Sequence, residues 1–101
     1  MPNHLYILKC ADGSYYTGST RNIDVRLDQH HLGKGTKYSS TRLPVELVCL
    51  EEYDRIDEAY AREKQVQGWS RKKKEALIKS EYNKLPELSK NYTQSNKNKQ
   101  M

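Results

Sequence analysis

The sequence predicts an α+β fold: a three-stranded antiparallel sheet flanked by helices, in the order ββαβαα. Three observations carry that expectation. Two short runs rich in β-forming residues, Leu5–Cys10 and Tyr15–Gly18, flank the turn-forming pair Asp12-Gly13. A third such run, Val45–Leu50, follows Pro44 and is apolar enough to be a well-buried strand. Between and after these runs lie three stretches with helix-start residues and apolar side chains at helical spacing.

The first two runs make a hairpin. Its loop length decides which tyrosines share a face, because side chains alternate along a strand. A two-residue Asp12-Gly13 loop pairs Lys9 with Tyr16 and leaves Tyr6 on the opposite face. A three-residue loop, Ala11-Asp12-Gly13 with Gly13 in the left-handed region, pairs Leu8 with Tyr16 and sets Tyr6 on the same side. The three-residue loop is expected.

Asn22 is placed to cap a helix through about His31, ended by Gly33, with Ile23 and Leu27 on its apolar side. Arg26 and His30, four apart, share one face of that helix. Residues 34–43 read as a polar basic loop. After the third strand, Asp54 or Asp57 starts a helix to about Gln67, with Ile56, Ala59, Tyr60 and Val66 available for burial. Ser70 caps a last helix, Arg71 to about Ser80, whose Ala76, Leu77 and Ile78 face inward around Trp69. Tyr15, Tyr53 and Tyr60 are assigned to packing or to the sheet surface.

A chain of 101 residues suits one domain, burying roughly 60–70% of its unfolded surface. The expected division is a folded domain over 1–82 and a basic, disordered tail over 83–101, with no second catalytic domain. No apolar run approaches the roughly 18 residues that span a bilayer, and the first residues lack the features of a signal peptide. A soluble cytoplasmic protein is therefore expected. Cys10 and Cys49 have no CxxC or His-rich neighbours, so neither a disulfide framework nor a zinc site is indicated. Phe is absent while Tyr occurs eight times, which leaves most aromatic rings carrying a hydroxyl in need of a partner.

The net charge of +5 is unevenly distributed, and mean hydropathy is −1.06. Residues 1–45 carry net +3, Glu46 to Glu58 net −5, and Arg62 to Lys79 net +5 around Arg71-Lys72-Lys73-Lys74. Such a run is either a solvated helix face or a patch that tracks phosphates, and composition leaves both open. Lys34, Lys37, Arg42, Arg71, Lys72, Lys73 and Lys74 are the candidate nucleic-acid contacts.

His4-Leu5-Tyr6, then Tyr16-Thr17-Gly18, Arg26, His30 and Glu63 resemble the GIY-YIG nuclease domain over about residues 3–82, in its small stand-alone bacterial branch. The first motif here reads His-Leu-Tyr and the second Tyr-Thr-Gly, so both tyrosines and the glycine are retained. The resemblance implies a metal-dependent endonuclease acting on DNA, with RNA not excluded, by structure or without sequence preference, in repair or recombination. It also implies one Mg²⁺ or Mn²⁺ ion, Glu63 as its ligand, products with a 5′ phosphate, and Asn83 as a further candidate. A protein partner supplying specificity is an open expectation, and a weakly active nucleic-acid-binding or partner-docking module is the alternative.

The residue types suit that chemistry on their own terms. Phosphodiester hydrolysis needs a positioned nucleophile, charge neutralisation at the phosphoryl oxygens and help for the leaving oxygen. Tyr6 is a candidate proton acceptor for water, but an ordinary tyrosine is only about 0.1% phenolate at pH 7 and needs positive neighbours. Arg26 can supply that charge and hold a phosphate through its fork of donors. His30 can share the proton or donate to the phosphate, and Tyr16 can orient water or phosphate. Gly18 lets backbone approach a ligand closely. A single carboxylate, Glu63, suffices for an ion that keeps several waters and takes substrate phosphate as ligand. Taken singly, each of these residues is more commonly structural or surface-exposed; their joint order supports the functional reading.

Overall fold

Strands β1 (Asn3–Lys9) and β2 (Tyr15–Thr20) form the expected hairpin. Leu8 pairs with Tyr16, the Cys10 amide donates to the Ser14 carbonyl at 2.8 Å, and Gly13 closes the loop at φ 87°. This is the three-residue register, with Tyr6 and Tyr16 on one face. The computed structural model describes residues 2–81. The tail expected at 83–101, and Asn83 within it, lie outside the described residues.

Helix α1 (Ile23–His31) follows, capped where Asn22 Oδ1 accepts the Val25 amide at 3.2 Å and released at Gly33, whose φ is 78°. A one-turn helix, α2 (Lys37–Ser40), comes next, then β3 (Glu46–Tyr53), α3 (Ile56–Gln67) and α4 (Arg71–Glu81). The sheet order is β2-β1-β3, antiparallel throughout. Helices cover both faces, so central β1 is buried on both sides from His4 to Leu8 and shows an unbroken apolar run rather than alternation. On the α1 side, Tyr6, Leu8, Leu27, Leu47 and Leu50 form one core; on the α3–α4 side, Leu5, Ile7, Cys49 and Val66 form the other. Each such fully buried aliphatic side chain contributes about 1.5–3 kcal/mol. Cys10 and Cys49 are buried in separate cores and share no disulfide.

Several local expectations are corrected. The loop over 34–43 contains α2 because the Thr36 hydroxyl accepts the Ser39 amide at 3.2 Å, a cap that starts a turn despite the absence of an apolar periodicity. Arg55, rather than Asp54 or Asp57, occupies the α3 cap position, with Glu58 reaching back to its amide at 3.3 Å and Asp57 pairing with its guanidinium. Tyr60 lies on the outer side of α3, 52% exposed, with Lys64 over its ring. Ala76 is exposed, while Leu77 and Ile78 pack with Trp69 as expected. A register shift in β3 makes Val48 the extra residue of a bulge, which puts Val48 and Cys49 in the same core. No helix among the described residues is long and apolar enough to cross a membrane.

Candidate active site

The hairpin register and the four-residue spacing on α1 converge on one oxygen. Tyr6 Oη lies 2.9 Å from His30 Nε2 and accepts a hydrogen bond from Arg26 Nε at 3.3 Å. Tyr16 completes the cluster, its ring centroid 6.2 Å from that of Tyr6 and 5.4 Å from that of His30. Gly18 lies directly against it: a Cβ there would stand 2.6 Å from Tyr6 Oη. Tyr6 and His30 are wholly buried, whereas Tyr16 and Arg26 are half-buried and form the side of the cluster that solvent reaches. Gln29 Oε1 accepts from Arg26 Nη1 at 2.9 Å and holds the guanidinium over Tyr6.

Burial dominates the electrostatics. It pushes the Tyr6 phenol well above its ordinary value, against the lowering effect of the Arg26 hydrogen bond. The expectation that Arg26 would make Tyr6 the more acidic is thus reversed in this closed arrangement, because desolvation outweighs one partly buried cation. Burial, reinforced by the Arg26 charge, lowers His30 to about 4. At neutral pH the phenol is protonated and the imidazole is neutral. His30 is enclosed between Tyr6 and Ser39, whose Oγ lies 2.7 Å from Nδ1, so neither ring nitrogen faces an incoming phosphate.

Glu63 stands on the other face of the sheet, at the same edge strand. Ser19 donates to Glu63 Oε1 at 2.6 Å, and Gln67 Nε2 donates to Oε2 at 2.8 Å and to the Thr17 carbonyl at 3.3 Å. Ser19 and Gly18 are neighbours on β2, so the carboxylate and the tyrosine cluster flank one stretch of backbone from opposite sides. The Glu63 charge contributes to raising the Tyr6 phenol, so the two halves sense each other. Among the described residues no group of three or more His, Cys, Asp or Glu side chains converges as a metal site. A half-buried carboxylate oriented through both oxygens fits a hard ion that keeps most of its waters, and does not fit a fully protein-enclosed ion.

The basic candidates divide. Lys34, Lys37 and Lys72 are exposed, and Lys74 is half-buried. Arg42 is committed to structure: it pairs with Asp12 at 3.0 Å, donates to the Tyr38 carbonyl at 3.0 Å and stacks 3.8 Å above the Tyr38 ring. Arg71 donates to the Gly13 carbonyl at 2.8 Å, pairs with Glu75 and lies over Tyr15. Lys73 lies over Trp69. Sequence reasoning gave no role in the site to Ser19, Gln67, Gln29, Gly35 or Ser39. Only the Glu63–Gln67 pair, four apart on a helix, carried a readable signal.

Comparison with known proteins shows the family. Residues 2–84 match the GIY-YIG catalytic domain. A UPF0213 protein of Staphylococcus aureus (strain Mu3 / ATCC 700698) is 44% identical over 80 residues, which cover 78% of this chain and 98% of that protein. The solution NMR structure of a UPF0213 protein from Bacillus halodurans is similar with a TM-score of 0.55 and 39% identity, covering 92% of this chain and 99% of the other. A second solution structure, of a protein from E. faecalis, gives a TM-score of 0.55 and 36% identity over 79% of this chain and 85% of its own. Matched over residues 2–84 and covering such a relative almost end to end, the chain belongs to the GIY-YIG catalytic domain family, a family of nucleases that use divalent metal ions.

Proposed function

We propose that the protein is an endonuclease that hydrolyses phosphodiester bonds in DNA, directed by structure or without sequence preference, in repair or recombination. The observation that carries this reading is the Tyr6 hydroxyl held between His30 Nε2 at 2.9 Å and Arg26 Nε at 3.3 Å, against the side-chain-free Gly18. Half-buried Arg26 and Tyr16 meet the phosphate first. Movement of Arg26 from Tyr6 onto the phosphoryl oxygens uncovers the phenol while keeping a positive charge near it. Water then attacks phosphorus and gives its proton to Tyr6 Oη as the Tyr6 proton passes to His30 Nε2. Proton transfer of this kind contributes about 10² to 10⁴ in rate. As the new bond to phosphorus forms, the bond to the 3′ oxygen breaks and leaves a 5′ phosphate; Glu63 would hold Mg²⁺ or Mn²⁺, which would neutralise the charge on the leaving oxygen. Exposed Lys34, Lys37 and Lys72 supply phosphate contacts.

The complete burial of Tyr6 favours a second reading, a nucleic-acid-binding or partner-docking module with weak turnover. Labelled duplex, flap and single-stranded DNA, with matching RNA, are incubated with Mg²⁺ or Mn²⁺ and wild type, Tyr6→Phe, Arg26→Ala or Glu63→Gln. The nuclease reading expects wild-type cleavage that falls at least about 10²-fold in each variant. Cleavage that survives all three substitutions refutes it. Metal-independent binding by wild type and Glu63→Gln alike, with no product from any substrate, establishes the binding module instead.

A further inference from the structure

We infer that Ser39 is a positioning residue that fixes the His30 tautomer, keeping the proton on Nδ1 so that Nε2 stays free to accept from Tyr6. The inference rests on the reading of Tyr6 and His30 as the reactive pair, and it adds a residue to which that reading gives no task. It comes from counting donors and acceptors in a dry pocket.

Tyr6 Oη already accepts from Arg26 Nε, which can only donate. The phenolic proton of a wholly buried Tyr6 therefore needs an acceptor, and among the described residues the one within hydrogen-bond distance is His30 Nε2. A neutral imidazole that accepts at Nε2 carries its proton at Nδ1. That proton meets Ser39 Oγ at 2.7 Å. Ser39 Oγ also accepts the Thr36 amide at 3.3 Å and donates its own proton to the Thr36 carbonyl at 3.3 Å. The Thr36 hydroxyl, 3.2 Å from Ser39 Oγ, offers that proton a second acceptor, and either choice leaves Ser39 Oγ free to accept from Nδ1. In the opposite tautomer Nε2–H and Arg26 both point at Tyr6 Oη, and the buried phenolic proton loses its acceptor, which leaves a buried donor unsatisfied.

The surroundings preserve this arrangement. Ser39 and His30 are both wholly buried, so bulk water does not compete for Nδ1. Gly35 packs its backbone against the imidazole, since a Cβ there would overlap His30 Nδ1 and stand 2.7 Å from Cε1. The α2 turn itself exists through the Thr36 cap on the Ser39 amide at 3.2 Å. That one turn carries Ser39 to the far side of the ring from Tyr6.

The test reads the tautomer directly. Long-range ¹H–¹⁵N correlation spectra of the ¹⁵N-labelled full chain at pH 7 are expected to show His30 with a protonated Nδ1 and an unprotonated Nε2. In Ser39→Ala the ring is expected to shift toward the Nε2–H form or a mixture, with DNA cleavage slowed at least about tenfold and KM nearly unchanged. Thr36→Ser, which keeps a capping hydroxyl and leaves Ser39 in place, is expected to match wild type in both measurements. A wild-type His30 protonated at Nε2 overturns the inference without recourse to any variant. So does a folded Ser39→Ala that keeps the wild-type ring shifts and rate. A tautomer change in Ser39→Ala alongside a wild type that cleaves no substrate upholds the positioning role and refutes the nuclease reading.

Discussion

Replacing Gly18 with alanine adds one methyl where the backbone lies directly against the Tyr6 hydroxyl. The new Cβ would stand 2.6 Å from Tyr6 Oη, 2.7 Å from Tyr6 Cζ and 3.1 Å from Tyr16 Cε2. Non-bonded carbon atoms rest at about 3.5–4.0 Å, so the Tyr6 ring must withdraw by about 1 Å or the strand must move. Neither is easy, because Tyr6 is fully enclosed and Gly18 is paired with it across the β1–β2 ladder. Overpacking of this kind costs about 1–3 kcal/mol, and each kcal/mol lowers the Tm of a domain this size by about 4–8 °C. A displacement of about 1 Å is also large enough to break the 2.9 Å link to His30 Nε2. Misplacement on that scale costs about 10²-fold in rate. Thermal melting and single-turnover cleavage of labelled DNA with Mg²⁺ measure the two losses. A Gly18→Ala protein that melts within about 2 °C of wild type and cleaves at the same rate would refute the steric reasoning, since the overpacking range requires a larger shift.

Two further outcomes follow from buried rings and committed cations. The His30 imidazole is held at about 4 when folded and returns to about 6.5 when unfolded, so the unfolded chain binds the extra proton between these values. Stability from this group is therefore complete above pH 6.5 and falls as pH drops toward 4, by about 3 kcal/mol at 1.36 kcal/mol per pH. Burial lowers His4 and His31 as well, so their contributions have the same sign. Thermal melts from pH 7.5 to 4.5 are expected to show a shallower loss in His30→Gln than in wild type; parallel curves would show that His30 does not titrate on unfolding. Arg42→Ala tests whether that side chain serves structure or phosphate. Its stack on Tyr38 is worth about 0.5–1 kcal/mol, so a Tm fall of several degrees is expected with the salt slope of DNA binding unchanged. A slope reduced by about one with an unchanged Tm would assign Arg42 to the phosphate instead.

The parts of the fold that were legible in the sequence are those governed by local rules. A three-residue hairpin loop closed by Gly13 fixes the Leu8–Tyr16 pairing, and that pairing alone puts Tyr6 and Tyr16 on one face. Four residues on a capped helix then align Arg26 with His30, so the cluster around Tyr6 Oη follows from two periodicities and one turn. The start of α3 was less legible because Asp54, Arg55 and Asp57 stand within four positions, and the cap position fell to Arg55 through the reach of Glu58. Tyr60 and Ala76 were misplaced because neither helix has a sharply apolar stripe that would orient it.

What no local rule revealed was how dry the cluster is. An arginine beside a tyrosine suggests an acidified phenol, and the proximity is real, with Nε 3.3 Å from Tyr6 Oη. Yet Gly18, Tyr16 and His30 enclose that oxygen, and removing water from around an ionising group outweighs a single cation that is itself half in solvent. Enclosure is a property of neighbours that β2 and α1 bring against β1, so a sequence that names every member can still leave the sign of the balance undetermined. The same holds for Ser39, an ordinary serine in a polar stretch until α2 turns it against His30 Nδ1. Residue type thus names the groups of the candidate site, and burial sets the protonation of both Tyr6 and His30.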